Sequence, residues 1–269
     1  MQLDHLVLAA RTLADGVAWC EATLGIVPAP GGNHAFMGTH NRLFSIGSAA
    51  FPRAYFEIIA IDPAAPPPAR PRWFDLDSPA LAQALSGGPA LIHWVARCDD
   101  VHAAAAGLRA AGIDRGEVLQ AKRATPRGLL RWQITLRGDG QRLFGGALPT
   151  LIQWRRVGAF EAYAPSPASD SDSDSDSDSG SGSGSGSGIQ AAARTAGDVH
   201  PADTLPPSGV TLTHFSVSGL PAAVVPMLPA GVRIEAPAGG AAPLCATIDS
   251  PRGRVVLRSL QTPAHHAQT

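Results

Sequence analysis

The sequence has few of the features that mark membrane, secreted or nucleic-acid-binding proteins. Its 269 residues contain no uninterrupted apolar stretch close to the roughly 18 residues that a membrane span needs. Lys and Arg total 21 and Asp and Glu total 22, so the formal net charge of -1 supplies no broad attraction to nucleic acid or to an anionic membrane. The N-terminus shows no charged region followed by a hydrophobic core and a cleavage site, so we expect a cytoplasmic protein.

Cysteine is scarce as well, and its positions exclude two common frameworks. Cys20, Cys98 and Cys245 are too few and too scattered for a disulfide network, and none belongs to a C-x-x-C pair. We interpret them as small buried side chains. No phosphate-binding loop, nucleophile elbow or zinc-finger spacing is present. By contrast, 45% of the residues are hydrophobic, as in ordinary globular proteins, so most of the chain should fold.

One low-complexity stretch divides the chain. Residues 169–188 alternate Ser with Asp and then Ser with Gly, and they carry no apolar side chain that could offset the entropy of ordering. This pattern predicts a body at 1–165, a disordered Ser-Asp and Ser-Gly linker at 166–205, and a small β-rich unit at 206–262. The last unit is too small to bury much surface alone, so we expect it to dock on the body.

The body contains two similar units, each opened by an apolar run with a histidine in third place. The runs are "LDHLVLAA" at 3–10 and "LIHWVARC" at 91–98. Alternation predicts a strand at each run, and helical spacing predicts a helix after it, capped by Thr12 in the first unit and by Asp99 or Asp100 in the second. Three further strands are predicted in each unit, at "HAFMG", "NRLFSIG" and "YFEIIAI" and near "EVLQAK", "LLRWQITL" and "LPTLIQW".

This internal duplication predicts an α+β fold of paired βαβββ modules, at about 1–62 and 89–156, packed about a pseudo-twofold axis. A third run, "LTHFSVSG" at 212–219, begins a weaker copy of the pattern. We therefore expect a degenerate third module-like unit at the C-terminus. Its histidine, His214, is interpreted as structural because this unit lacks an acidic counterpart.

His5 and His93 occupy equivalent positions in the two units, so pseudosymmetry should bring both imidazoles to one concave surface. In "YFEIIAI", alternation places Tyr55 and Glu57 on one face, where an unpaired carboxylate in an apolar strand would be costly. Two imidazoles and a carboxylate suit a divalent first-row metal ion. The same three side chains would also form a polar pocket floor satisfied by hydrogen bonds, and both interpretations stay open.

A family resemblance is carried by four segments: "LDHLVLAARTLADGVAWCEATLGI", "GGNHAFMGTHNRLFSIG", "YFEIIAI" and "RWFDLD". Through them, residues 1–155 resemble the vicinal oxygen chelate superfamily, which includes glyoxalase I, extradiol ring-cleavage dioxygenases and fosfomycin-resistance proteins. Within it, the chain resembles the glyoxalase-like domain family. The resemblance implies a cup-shaped sheet around a divalent metal ion (Fe2+, Mn2+, Ni2+ or Zn2+), with ligands from the first and fourth strands of each module. Those positions are His5, Glu57, His93 and Gln153.

Gln153 departs from the family pattern, because metal enzymes of the glyoxalase I type often place a second glutamate there. A neutral amide is a weaker ligand than a carboxylate and cannot act as a carboxylate base. The remaining set has two histidines and one carboxylate, with room for water or substrate. The same three side chains would also remain in a protein that has lost one ligand of an ancestral metal site.

Polar residues elsewhere are candidates for a substrate pocket. In "GTHN", His40 and Asn41 would orient a ligand carbonyl, and His40 would carry a proton, unless both bond their own turn instead. Arginine forks at Arg123, Arg127 and Arg131 suit a carboxylate or phosphate group, although a solvated strand edge explains them too.

The aromatic candidates complete this prediction. Trp73, Phe74, Trp94 and Trp132 would either wall an apolar pocket or pack in the core. The expected catalytic residues are Glu57 and His40. The expected substrate pocket consists of His40, Asn41, Arg131 and Trp132.

Two functions from different classes follow from these expectations. The first is metal-dependent chemistry on a small oxygenated molecule, with lyase, isomerase and dioxygenase reactions all open. The alternative is a metal-free protein of the same fold that binds or sequesters a small molecule. In both cases the expected partner is a small-molecule substrate or ligand, neither nucleic acid nor a membrane is expected, and homodimer formation is left open.

Overall fold

The computed structural model describes residues 1–125, 128–154, 200–236 and 242–260. The first module contains β1 (Gln2–Ala9), α1 (Leu13–Thr23), β2 (Ala29–His34), β3 (Thr39–Ser45) and β4 (Tyr55–Ile61). After α2 (Pro79–Leu85), the second module contains β5 (Ala90–Arg97), α3 (Val101–Ala110), β6 (Glu117–Thr125), β7 (Gly128–Leu136) and β8 (Thr150–Trp154). The C-terminal unit contains β9 (Thr211–Ser218), β10 (Arg233–Glu235), β11 (Leu244–Ser250) and β12 (Gly253–Arg258).

The body forms one curled sheet with the strand order β2-β3-β4-β1-β5-β8-β7-β6. In each module the first strand pairs in parallel with the last, and the two first strands, β1 and β5, pair antiparallel at the centre. The edge strands β2 and β6 contact each other, so the sheet curls into a cup. This arrangement confirms the predicted α+β fold of paired βαβββ modules. No helix in the described ranges is long and apolar enough to cross a membrane.

The two module helices begin where the sequence predicts. Thr12 accepts a hydrogen bond from the backbone N–H of Asp15 at 3.1 Å, and Asp100 accepts one from Ala103 at 2.9 Å. These side chains satisfy N–H groups that have no partner within the helix. Both helices pack on the outer face of the sheet, which leaves its inner face free to form the cup.

The C-terminal unit packs against the same outer face and shares its hydrophobic core. Trp94 of β5 meets Phe215 of β9 edge to face, with ring centroids 5.3 Å apart. The predicted order of strand, short helical segment and three strands is present, but the strand order is β10-β9-β11-β12. Its first strand therefore lies between the second and third, whereas the first strand of each module pairs with the fourth.

Two predicted segments differ from the observed structure. The run "HAFMG" does not form a strand, because β2 ends at His34 and Ala35–Met37 form a 3-10 turn that ends at Gly38 with φ 57°. The second strand comes instead from "APGGNH", a Pro- and Gly-rich run of low strand propensity that pairing with β3 stabilises.

The predicted linker at 166–205 lies outside the described residues up to position 199, as does Arg127. The described chain resumes at His200, which is buried, and Pro201–Asp203 form a 3-10 turn. Residues 200–205 are thus packed against the body, six residues before the predicted start of the C-terminal unit.

Candidate ligand-binding cup

The inner face of the curled sheet forms a cavity that is open to solvent. Its wall is largely aromatic and aliphatic, with a small group of polar side chains on one side. The lining residues are His5, His34, Asn41, Leu43, Tyr55, Glu57, Trp73, Phe74, Arg123, Leu130, Trp132, Ile134, Ile152, Trp154 and Pro201. Strand alternation explains the set, because every second residue of β3, β4, β7 and β8 points inward.

A chain of hydrogen bonds forms the polar floor of the cup. The Nδ1 of His5 donates to Oδ1 of Asp4 at 2.7 Å, and Nε2 of His5 lies 3.5 Å from Oε2 of Glu57. The other carboxylate oxygen of Glu57 accepts from Nδ2 of Asn41 at 2.6 Å. Glu57 is therefore a buried carboxylate with two partners, which removes the cost that its place in an apolar strand implied.

Charge in this floor is stabilised as an ion pair. Burial disfavours the imidazolium of His5, but hydrogen bonds and charge interactions with Asp4 and Glu57 outweigh burial and raise its pKa to about 9. Burial likewise disfavours the Glu57 carboxylate, but the bond and charge of His5 lower its pKa to about 2. At neutral pH His5 is a cation and Glu57 an anion.

Asp4 connects this floor to the C-terminal segment. Its Oδ2 accepts from Nε2 of His200 and from Nε1 of Trp154, both at 2.9 Å. Asp4 is fully buried, and these bonds together with His5 hold its pKa below the ordinary range despite that burial. His200 also packs edge-on against Tyr55 and Trp154, with centroid distances of 5.7 and 5.3 Å.

His93 lies on the inner face but bonds away from this floor. Its Nδ1 donates to the carbonyl of Gly146 at 3.2 Å, and its Nε2 accepts from the backbone N–H of Thr150 at 3.2 Å. The buried guanidinium of Arg115 lies 3.4 Å from Nε2. Burial and the positive charge of Arg115 keep the pKa of His93 well below its usual value, so His93 is neutral.

Gln153 is not in the cup. Its Nε2 donates to the carbonyl of Asp99 at 2.6 Å, and its Oε1 accepts from the N–H of Val101 at 3.1 Å, so its side chain holds the start of α3 on the outer face. The residue that matches Glu57 is Thr150, because Val7 pairs with Glu57 in the first module as Val95 pairs with Thr150 in the second. The position equivalent to Glu57 is therefore Thr150, three residues before the predicted Gln153.

The expected pocket set divides between the two faces of the sheet. Asn41 and Trp132 line the cup. Their strand neighbours His40 and Arg131 are not among the lining residues, because alternation turns them to the other face. His40 lies near Asp62, with Nδ1 3.9 Å from Oδ1, so the catalytic role predicted for His40 has no support in its position.

The aromatic predictions divide in the same way. Trp73 and Phe74 line the cup, whereas Trp94 packs in the outer core and donates from Nε1 to the carbonyl of Ala147 at 2.8 Å. Phe74 adopts φ 61°, a conformation that costs a non-glycine residue about 1–3 kcal/mol. The neighbouring Asp75 holds this turn through Arg142, with Nε 2.8 Å from Oδ2.

The structure does not bring the four predicted metal ligands together on one face of the sheet. Gln153 faces the opposite side of the sheet, and both ring nitrogens of His93 are used in protein hydrogen bonds. Arg115 adds a positive charge beside His93 that would repel a cation. Across the described ranges, no group of three or more His, Cys, Asp or Glu side chains is arranged to hold a metal ion.

Several residues of the site were not foreseen from the sequence. Asp4, His34 and Trp154 were overlooked, although Trp154 follows Ile152 at the period of a strand and Asp4 adjoins His5. No local signal identifies His200, which reaches the floor from beyond the low-complexity stretch.

Comparisons with known proteins agree with this architecture. The family model described as a glyoxalase-like domain matches residues 3–170. No curated protein matches the chain.

Three solved structures illustrate the similarity. A hypothetical protein from Staphylococcus aureus is 18% identical, with a TM-score of 0.40, and the match covers 58% of this chain and 60% of that one. Methylmalonyl-CoA epimerase from Mycobacterium tuberculosis is 18% identical over 57% of this chain and 86% of its own, with a TM-score of 0.33. The Streptomyces coelicolor methylmalonyl-CoA epimerase is 19% identical over 57% and 96%, with a TM-score of 0.36.

Proposed function

Because the chain belongs to the glyoxalase-like domain family, whose match spans residues 3–170, we propose that the cup is its functional site and binds a small, largely apolar molecule. In this proposal the protein's own side chains hold the molecule without a resident metal ion. The observation that carries the proposal is the lining of the cavity, which combines an aromatic and aliphatic wall with a few polar groups on one side. Ligand sites in proteins have this composition.

The metal-dependent enzyme implied by the family resemblance takes second place. For a metal ion to bind at the predicted positions, His93 would have to give up its bonds to Gly146 and Thr150 and accept a cation beside Arg115. Nε2 of His5 would have to give up its proton and its contact with Oε2 of Glu57, which lies 3.5 Å away. Both features favour direct binding of an organic ligand.

The His5–Glu57 pair gives the cup one further property. Held as imidazolium and carboxylate, the pair presents a proton donor and an acceptor side by side at the cavity floor. A ligand with a carbonyl or hydroxyl oxygen is oriented by such a floor, while its apolar part contacts the aromatic wall. The pair therefore sets which end of a ligand enters the cup first.

Calorimetric titration with 2-naphthol tests this proposal. The full chain should bind one equivalent in the presence of excess EDTA. Ile152→Phe adds a ring inside the cup and should abolish binding, whereas Val256→Phe adds the same ring on the exposed face of β12 and should not. Absence of binding to the wild type, or binding that Ile152→Phe leaves unchanged, would show that the cup is not the site.

A further inference from the structure

We propose that the natural ligand of the cup is an anion, an apolar molecule with a carboxylate or similar oxyanion, and that Arg123 binds its charge. This inference rests on the proposed function, since it concerns the same cavity. It names the chemical class of the ligand, which neither the family nor the aromatic wall defines.

Arg123 brings a positive charge without a carboxylate partner in the described residues into the cavity wall. Its Nη1 donates to Oδ1 of Asn41 at 3.2 Å, and no carboxylate in the described part of the chain forms an ion pair with it. The carboxylates of Asp4 and Glu57 both contact His5, and Asp4 also accepts a hydrogen bond from His200. A cation held at a partly desolvated wall favours an anionic partner, and a ligand is the partner that the cavity can admit.

Unpartnered hydrogen-bond donors point to the same chemistry. The Nε of Arg123 and the Nε1 of Trp73 are buried atoms of lining residues, and neither has a hydrogen-bond partner among the residues that the structure describes. Both groups only donate, so their natural partner is an acceptor. A carboxylate supplies two acceptor oxygens and no donor, and it matches the geometry of the guanidinium fork.

The neighbouring strands define the position of the Arg123 side chain. A Cβ at Gly32 of β2 would lie 2.6 Å from Cδ and 3.0 Å from Nε of Arg123. A Cβ at Gly31 would lie 2.0 Å from Oδ1 of Asn41, the atom that accepts from Arg123. Two successive glycines thus leave the space in which Arg123 crosses from β6 to the β2–β3 edge of the cup.

The test compares two probes of nearly equal shape, 2-naphthoate and its neutral amide 2-naphthamide, by calorimetry on the full chain. The wild type should bind the naphthoate at least about tenfold more tightly than the amide, the preference expected from one charge-assisted contact. Arg123→Gln should remove this preference, because it should weaken binding of the naphthoate far more than binding of the amide. Lys122→Gln, which removes an exposed charge from the adjacent position of β6, should behave as the wild type does.

A second variant tests the same assignment in case Arg123→Gln does not fold. Gly32→Ala keeps the charge but displaces the Arg123 side chain, so it should reduce the preference for naphthoate. Equal affinity of the wild type for both probes would overturn the assignment of an anionic ligand while leaving the cup as a binding site. Failure of the wild type to bind either probe would contradict the proposed function itself, and the assignment with it.

Discussion

Asp4 and His200 are 196 positions apart in the chain, and their side chains meet at 2.9 Å beneath the cup. Pro201, the next residue, lines the cavity itself. The C-terminal segment is therefore part of the site's floor, and Asp4 joins three elements by accepting bonds from His5, Trp154 and His200. This arrangement ties the geometry of His5 to a segment that follows the low-complexity stretch.

Asp4→Asn should destabilise the protein by about 3 kcal/mol, because it removes a fully buried charge on which three donors depend. Urea unfolding followed by circular dichroism measures the change. Asp249→Asn, which alters an exposed carboxylate paired with Arg254, should leave the unfolding midpoint almost unchanged. Equal midpoints for wild type and Asp4→Asn would show that the Asp4 contacts contribute no net stability.

The His5 network should make stability fall at alkaline pH. The pKa of His5 is raised from 6.5 to about 9 in the folded protein, so its contribution is complete below pH 6.5 and is lost as the pH rises through 9. We expect the free energy of unfolding to drop by about 3 kcal/mol across this window. His5→Gln should reduce this drop in stability, and the control His214→Gln should not. If stability fell equally with pH in His5→Gln and the wild type, the effect would belong to another group.

Gln153 should act on helix α3 and not on the cup. Gln153→Leu removes the bonds to Asp99 and Val101, so it should destabilise the fold by about 1–2 kcal/mol. Binding of 2-naphthol, measured by calorimetry on the folded variant, should not change. Gln83→Leu on the exposed face of α2 is the control for the substitution itself. Weakened binding with unaltered stability would place Gln153 in the site after all.

The C-terminal unit should be integral to the stability of the body. Phe215→Ala opens a cavity beside Trp94 at the interface between the two sheets and should cost about 3–5 kcal/mol. Val256→Ala, on the half-exposed face of β12, is the control. A single unfolding transition that moves for Phe215→Ala is expected. Two separate transitions, with only the smaller one shifted, would show that the unit folds independently.

Local patterns sufficed for much of the fold. Hydrophobic alternation placed β1, β4 and β5 and their inward faces, and side-chain capping located α1 and α3 at Thr12 and Asp100. Both signals act within a few residues, so a sequence displays them directly.

Long-range pairing explains what was missed. The register of β8 against β5 depends on contacts between distant strands, and no feature of "LPTLIQW" shows that Thr150 rather than Gln153 matches Glu57. The prediction also placed both His40 and Asn41 in the pocket. Alternation shows that these neighbours lie on opposite faces of the strand, but it does not show which face is the inner one. The contact of His200 with Asp4 can be recognised only from the tertiary structure.

The most direct test of the account is a calorimetric titration of 2-naphthol into the wild type, once in excess EDTA and then in separate samples without EDTA that contain Mn2+, Fe2+, Ni2+ or Zn2+. The account predicts the same Kd and stoichiometry in all five conditions. It also predicts that the protein shows no metal binding that depends on His5, so the wild type and His5→Ala should not differ in metal binding. Binding of the naphthol that appears only with one of the metals, and that disappears in His5→Ala, would contradict it.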